Sequence, residues 1–290
     1  MAILFAWIAA LASTATPLIV KNSGGTLIRS PWLFNVLWSA AAVPLGVAFG
    51  LTKEGIMPEN WTPLLLASAA SALFFIFYTL SIFRINVSVM SPLFSLRVVF
   101  ATVLGAALLD EHISLVGLAL ISTVVLLSPL ASFDESLKLK AFFQPGVLLA
   151  LVAMVSLAFV GVFANKSVEA NGFGPTLIWQ DGLTSLMLLP TLFATDFKKE
   201  RFTKRVAGTF AVLGLLSGTY TVTSTEAFAR NLAISSVIIS IPLSMIAAVL
   251  LSKKLPKLKE THSQKVYTIR FVAATIMISC AVALSLLSNT

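Results

Sequence analysis

The chain has 290 residues, 58% of them apolar and 11% charged, whereas a soluble chain carries about 45–50% apolar and about 25% charged residues. A soluble fold could not cover itself with so little polar surface, 21 Phe and 5 Trp exclude disorder, and the single Cys280 excludes a disulfide scaffold. The net charge of +8 comes from lysines and arginines that fall between apolar runs, which favours a membrane protein over a nucleic-acid binder.

A bilayer core about 30 Å thick takes roughly 20 apolar residues per helix. Ten such runs are predicted, at 2–20, 32–51, 63–83, 87–109, 113–131, 145–165, 174–194, 207–229, 232–251 and 268–288. The runs are continuous rather than alternating, so they read as helices and not as the strands of a membrane barrel. No Lys or Arg precedes the first run, which is expected to be a retained span rather than a secretory signal. The expected fold is an all-α integral membrane protein with ten transmembrane helices, lying in the cell (inner or plasma) membrane.

The basic residues divide unevenly between the loops. Those after spans 1, 3, 5, 7 and 9 hold 16 of the 20 Lys and Arg, among them Lys21 and Arg84. The opposite loops hold Lys53, Lys166 and Arg230, and Arg97 lies within a span. Short basic loops stay in the cytoplasm, so both termini are expected on the non-cytoplasmic side.

Two halves of the chain resemble one another. Lys21 and Lys166 follow spans 1 and 6, Pro31 and Pro175 open spans 2 and 7, and Arg84 and Arg230 follow spans 3 and 8. These pairs are 144–146 positions apart. The expected organisation is a five-helix repeat at 1–132, a cytoplasmic linker at 133–144 and a second five-helix repeat at 145–290. An odd number of spans per copy forces the second copy to enter the membrane from the other side, an arrangement common in secondary transporters.

Residues 74–128 carry motifs that resemble the EamA-type permeases of the drug/metabolite transporter superfamily. The matching stretches are Tyr78–Arg84 at a helix end, Val98–Ala101 at the centre of the next helix, and Leu108–Glu111 before another span; Arg230 and Pro242 match in the second half. Val98 stands where the family has proline, and Leu255 where a second glutamate would sit. The resemblance implies ten spans in two inverted repeats and export of amino acids or other metabolites. It also implies cytoplasmic termini, opposite to the charge count.

Charges inside spans are costly and face a cavity or a partner. Arg97, Asp181 and Glu226 are the three such residues expected. Glu226 and Arg230 are four apart and can pair on one helix face, or Glu226 can meet a substrate ammonium or a proton. Thr219, Thr223, Glu226 and Arg230 form one stripe, which is expected to line a cavity. Arg97 requires a carboxylate, with Glu226 or Asp181 as candidates, or else its guanidinium fork recognises a substrate carboxylate or phosphate. Trp179, beside Asp181, either stacks on a cationic or aromatic substrate or anchors at the interface. Tyr78 and Tyr220 are candidate cavity walls. In the first span Pro17 frees a carbonyl that Ser13, Thr14, Thr16 or a substrate could use, and Asn165 occupies the matching place in the sixth. Lys21 and Lys166 either take part in that site or snorkel to opposite interfaces. Gly46–Gly50 and Gly214–Gly218 are close-approach segments, within the bundle or at a dimer seam.

No P-loop, dinucleotide fingerprint or nucleophile motif occurs in the sequence, so neither an enzyme nor a cofactor is expected. His112, His262 and Cys280 are placed too far apart for a metal site. The reading is a secondary transporter for a small metabolite such as an amino acid or amine, working by alternating access. A titratable Glu226 or Asp181 would allow proton coupling, and either a monomer or a homodimer is compatible. The alternatives are a flippase for a lipid-linked headgroup and a membrane-embedded enzyme. The expected partners are the substrate, protons and the bilayer, with no nucleic acid.

Overall fold

The computed structural model describes residues 2–97, 99–100, 103–104, 114–131, 143–230, 239, 243–251 and 262–287. Val98, the Leu108–Glu111 motif, His112, Pro242, Leu255 and nearly all of the 133–144 linker lie outside these residues, and Arg230 is described in its backbone only.

The helices are α1 (Ala2–Ser23), α2 (Pro31–Gly50), α3 (Trp61–Ile82), α4 (Val87–Leu93), α5 (Leu115–Ala131), α6 (Pro145–Asn171), α7 (Phe173–Leu188), α8 (Lys204–Arg230), α9 (Leu243–Leu251) and α10 (Gln264–Leu287). Among the described residues there is no strand, only an isolated bridge between Gly24 and Ile28. Local chemistry sets the boundaries. Ser30 caps α2 by accepting from the Leu33 amide at 3.4 Å, and Pro31, which has no amide hydrogen to lose, follows it. Asn60 caps α3 through the Thr62 amide at 3.0 Å. Gly172, at φ 79°, makes the tight turn from α6 to α7.

Among the described residues six helices are long and apolar enough to cross a membrane: Leu4–Ser23, Pro31–Gly50, Trp61–Ile82, Pro145–Asn171, Phe173–Ala194 and Lys204–Ala227. They coincide with expected spans 1–3 and 6–8. The run expected as one helix over 87–109 is interrupted. Helical bonding stops at Leu93, Phe94 and Ser95 form a turn, and helix resumes at Leu96. Short-range bonds mark the break, from the Phe94 amide to the Ser91 carbonyl (3.3 Å) and from the Arg97 amide to the Phe94 carbonyl (3.1 Å).

Packing pairs the two parts of the chain. α1 lies on α8, α2 on α7, α3 on α6, α4 on α9 and α5 on α10; α2 also packs on α8 and α3 on α7. Helix ends gather in two layers. In one, the α1 end meets the α3 end and the 24–30 turn meets the 195–203 loop; the α3–α4 turn meets Gly146 and His262 there. In the other, residues 53–60 meet Glu226, Asn171 and Trp179.

In a bilayer, lipid tails are as apolar as leucine, so helix association depends on close packing rather than on hydrophobic transfer. The two small-residue segments supply that contact within the bundle. A Cβ at Gly46 would lie 2.9 Å from the Leu177 carbonyl oxygen, and one at Gly214 only 2.1 Å from that of Ala41. Edge-to-face rings fill the centre, with Phe34 4.9 Å from Phe210 and Trp38 4.8 Å from Phe75. Large apolar side chains such as Leu11, Leu66, Leu126, Leu186 and Leu215 remain exposed on the outside, as a lipid-facing surface requires.

Candidate functional site

The break at Phe94–Ser95 places polar groups at the heart of the bundle. Arg97, just beyond it, donates from Nη1 to the Tyr220 hydroxyl of α8 at 3.1 Å. Its other terminal nitrogen lies 3.7 Å from where a Cβ on Gly161 of α6 would be, which brings the guanidinium into van der Waals range of that helix. Ser91 accepts a hydrogen bond from Ser244 of α9 at 2.7 Å. Ser95 Oγ is buried with no hydrogen-bond partner among the described residues. Helices α6, α8 and α9 therefore converge on the interrupted stretch. Tyr220 is thus one described partner of Arg97 that the sequence reading did not pair with it.

Glu226 takes a partner that is remote in sequence. Lys53 Nζ lies 2.6 Å from its Oε1, with the side chains 35% and 12% exposed. The Glu226–Arg230 pair expected from helical spacing rests on a side chain, that of Arg230, outside the described residues. Along the same stripe, Thr223 is buried and donates to the Thr219 carbonyl at 2.6 Å.

The remaining predicted residues scatter. Asp181 sits between α7 and α2, its Oδ2 buried without a hydrogen-bond partner among the described residues and 3.3 Å from a Cβ built on Gly46. Trp179, in the second turn of α7, donates to the Ile56 carbonyl at 2.8 Å and meets Trp61 edge-on at 5.4 Å. Tyr78 is 2% exposed and packed among Phe74, Trp38 and Phe94, so it belongs to the core rather than to a cavity wall. Thr14 bonds back to the Ala10 carbonyl at 2.7 Å, and Ser13 and Thr16 bond to Ala10 and Ala12. None of these three bonds reaches the carbonyl that Pro17 frees. Asn165 is exposed and Lys166 half-buried. Arg84 is exposed on the α3–α4 turn.

Lys21 neither snorkels outward nor joins the central group. It donates to the Ile82 and Ile85 carbonyls at 2.8 and 2.7 Å, capping the C-terminus of α3. The matching region beyond α8, where Lys166 would find its counterpart, lies outside the described residues.

Two residues with clear roles were not singled out from the sequence. Arg270, inside the run expected at 268–288, is 1% exposed in α10 and donates to Ser88 of α4. Glu200 accepts from the Arg29 and Ser30 amides at 2.9 and 2.7 Å and so caps α2 from across the bundle. Nearby, Lys199 bonds the exposed Asp196 at 2.9 Å and holds that carboxyl below its ordinary range.

Among the described residues no three His, Cys, Asp or Glu side chains gather closely enough to hold a metal ion. No family model and no curated protein matches the chain. A solved structure described only as the crystal structure of a protein is similar to it, with a TM-score of 0.63 at 14% identity over 100% of this chain and 99% of that one. That likeness extends the shared fold over both halves.

Proposed function

We propose that this chain is a secondary transporter of the kind its sequence resembles, an EamA-type permease of the drug/metabolite transporter superfamily. In this reading ten membrane helices form two inverted five-helix repeats in the cell membrane, with both termini on the non-cytoplasmic face. The protein moves a small metabolite such as an amino acid or amine by alternating access and performs no chemistry on it. The observation that carries the reading is the helix break at Phe94–Ser95, with Arg97 against Tyr220 and three other helices converging. Interrupted helices near the middle of a bundle are how transporters expose backbone and side-chain groups to a substrate. The pairing of α1 with α8, α2 with α7, α3 with α6, α4 with α9 and α5 with α10 supports the inverted repeat, because exchanging the two halves turns the α1–α8 contact into the α6–α3 contact and leaves the other three pairs unchanged. Arg97 reads as the anchor for a substrate carboxylate, with the Tyr220 hydroxyl orienting its guanidinium.

The test is uptake of labelled amino acids and amines into proteoliposomes containing the purified protein. Saturable uptake that Arg97→Lys lowers by an order of magnitude or more supports the reading, because a lysine lacks the fork. No uptake of any amino acid, amine or sugar, together with movement of a labelled lipid, would replace it with the flippase.

A further inference from the structure

A second polar feature lies at the layer of helix ends formed by the 24–30 turn and the 195–203 loop. A crevice of about 490 Å³ is lined by Thr26, Arg29, Lys198, Lys199, Glu200 and Arg201. It is a built feature rather than a chance meeting of loops. Glu200 grips the Arg29 and Ser30 amides, and the Ser30 and Thr195 hydroxyls bond at 3.0 Å. Both carboxylate oxygens of Glu200 are thereby engaged, and Lys199 is taken by Asp196. Arg29, Lys198 and Arg201 line the crevice with no ion-pair partner among the described residues.

Three phenylalanines interleave with these cations. Phe193 is 96%, Phe197 50% and Phe202 62% exposed. Exposed aromatic rings beside unpaired cations, at the end of apolar helices, suit the boundary between headgroups and acyl chains. Guanidinium groups offer paired donors that match phosphate oxygens. We infer that this crevice binds the phosphate of an anionic phospholipid, with Arg29, Lys198 and Arg201 on the headgroup and Phe193, Phe197 and Phe202 in the acyl boundary. The inference rests on the membrane reading. The charge count supports it, because it puts these loops on the cytoplasmic side, where anionic lipids concentrate.

The test is native mass spectrometry of the full-length protein in mild detergent, titrated with phosphatidylglycerol, phosphatidylcholine or inorganic phosphate. Phosphatidylglycerol should be retained in preference to phosphatidylcholine. The combined Arg29→Gln, Lys198→Gln and Arg201→Gln variant should lose about fivefold in phosphatidylglycerol affinity per charge removed while retaining phosphatidylcholine as before. If that variant does not fold, Arg201→Gln alone is read the same way. Unchanged retention in the variant, or equal retention of the two lipids by the parent, overturns the assignment. Inorganic phosphate binding as tightly as phosphatidylglycerol overturns the lipid source. Extraction of cell membranes with alkaline carbonate separates the two readings. Release of the protein by carbonate sinks the membrane reading, whereas a protein kept in the membrane without lipid preference sinks only the crevice.

Discussion

Lys53 and Glu226, 173 residues apart, meet at 2.6 Å and tie the loop after α2 to the last turn of α8. The glutamate is the more buried partner, so removing the lysine leaves a carboxylate in a site from which water is largely excluded. Exposed pairs contribute about 0–1 kcal/mol, and breaking a fully buried one costs about 3–5 kcal/mol. Lys53→Gln is expected between these limits, roughly 1–3 kcal/mol, seen as a lower apparent melting temperature in detergent. The exchange Lys53→Glu with Glu226→Lys should recover most of the loss. If Lys53→Gln alone melts like the parent, the pair is not holding the loop.

Lys21 meets two carbonyls that would otherwise end α3 unsatisfied. Hydrogen bonds from charged donors contribute about 1.5–3 kcal/mol. Lys21→Met should therefore loosen the α3–α4 turn, where the exposed Arg84 offers a trypsin site. Faster cleavage after Arg84 is the expected readout, with Lys21→Arg close to the parent. Equal cleavage of Lys21→Met and the parent would refute the capping role.

Gly214 and Gly218 make different demands. A methyl group at Gly214 meets the Ala41 carbonyl at 2.1 Å, a backbone atom that cannot step aside, whereas at Gly218 it meets the Leu45 side chain at 2.7 Å. Gly214→Ala should cost more than Gly218→Ala, with overpacking of this sort costing about 1–3 kcal/mol. Size-exclusion profiles after graded heating rank the two, and the reverse order would contradict the seam described.

Tyr220→Phe keeps the ring and removes the acceptor facing Arg97. In the transport reading it should change substrate affinity by several-fold while leaving the melting temperature within about 3 °C, since a typical net hydrogen bond contributes only about 0.5–1.5 kcal/mol. Parallel measurement of uptake and of thermal stability checks both halves of this expectation. A large fall in stability with unchanged uptake would make the contact purely structural.

The apolar helices were legible because the signal and the cause coincide: the length of an uncharged run is what a bilayer reads. Leu4–Ser23, Pro31–Gly50 and Trp61–Ile82 fall within a few residues of their expected positions for that reason. The break at Phe94–Ser95 left a trace that a hydropathy window averages away: Ser91, Pro92, Ser95 and Arg97 punctuate an otherwise apolar run. Partners were harder to read than positions. Spacing offers Arg230 to Glu226 from four residues away, and nothing local points to Lys53. Lys21 reads as an interfacial lysine until α3 ends beside it. Arg270 reads as a charge at the start of an apolar run until Ser88 of α4 meets it. Each of these contacts is made by tertiary packing, which a hydropathy window does not contain.

The glycine seams have a mechanical consequence. α2 touches α7 at Gly46 and Gly50 and receives Gly214 and Gly218 of α8, so along both seams main chain rests on main chain or its first side-chain atoms. Surfaces that close have no long side chains to re-rotamerise and nothing to slide over. The three helices must travel together, as one keel. In the transport reading, an opening large enough to pass a solute is expected to come from elements outside these seams, such as α4, the interrupted stretch that follows it, and α9, which packs on α4. A cross-link stitched across the α2–α7 seam should therefore leave traffic running, while one spanning α4 and α9 should stop it.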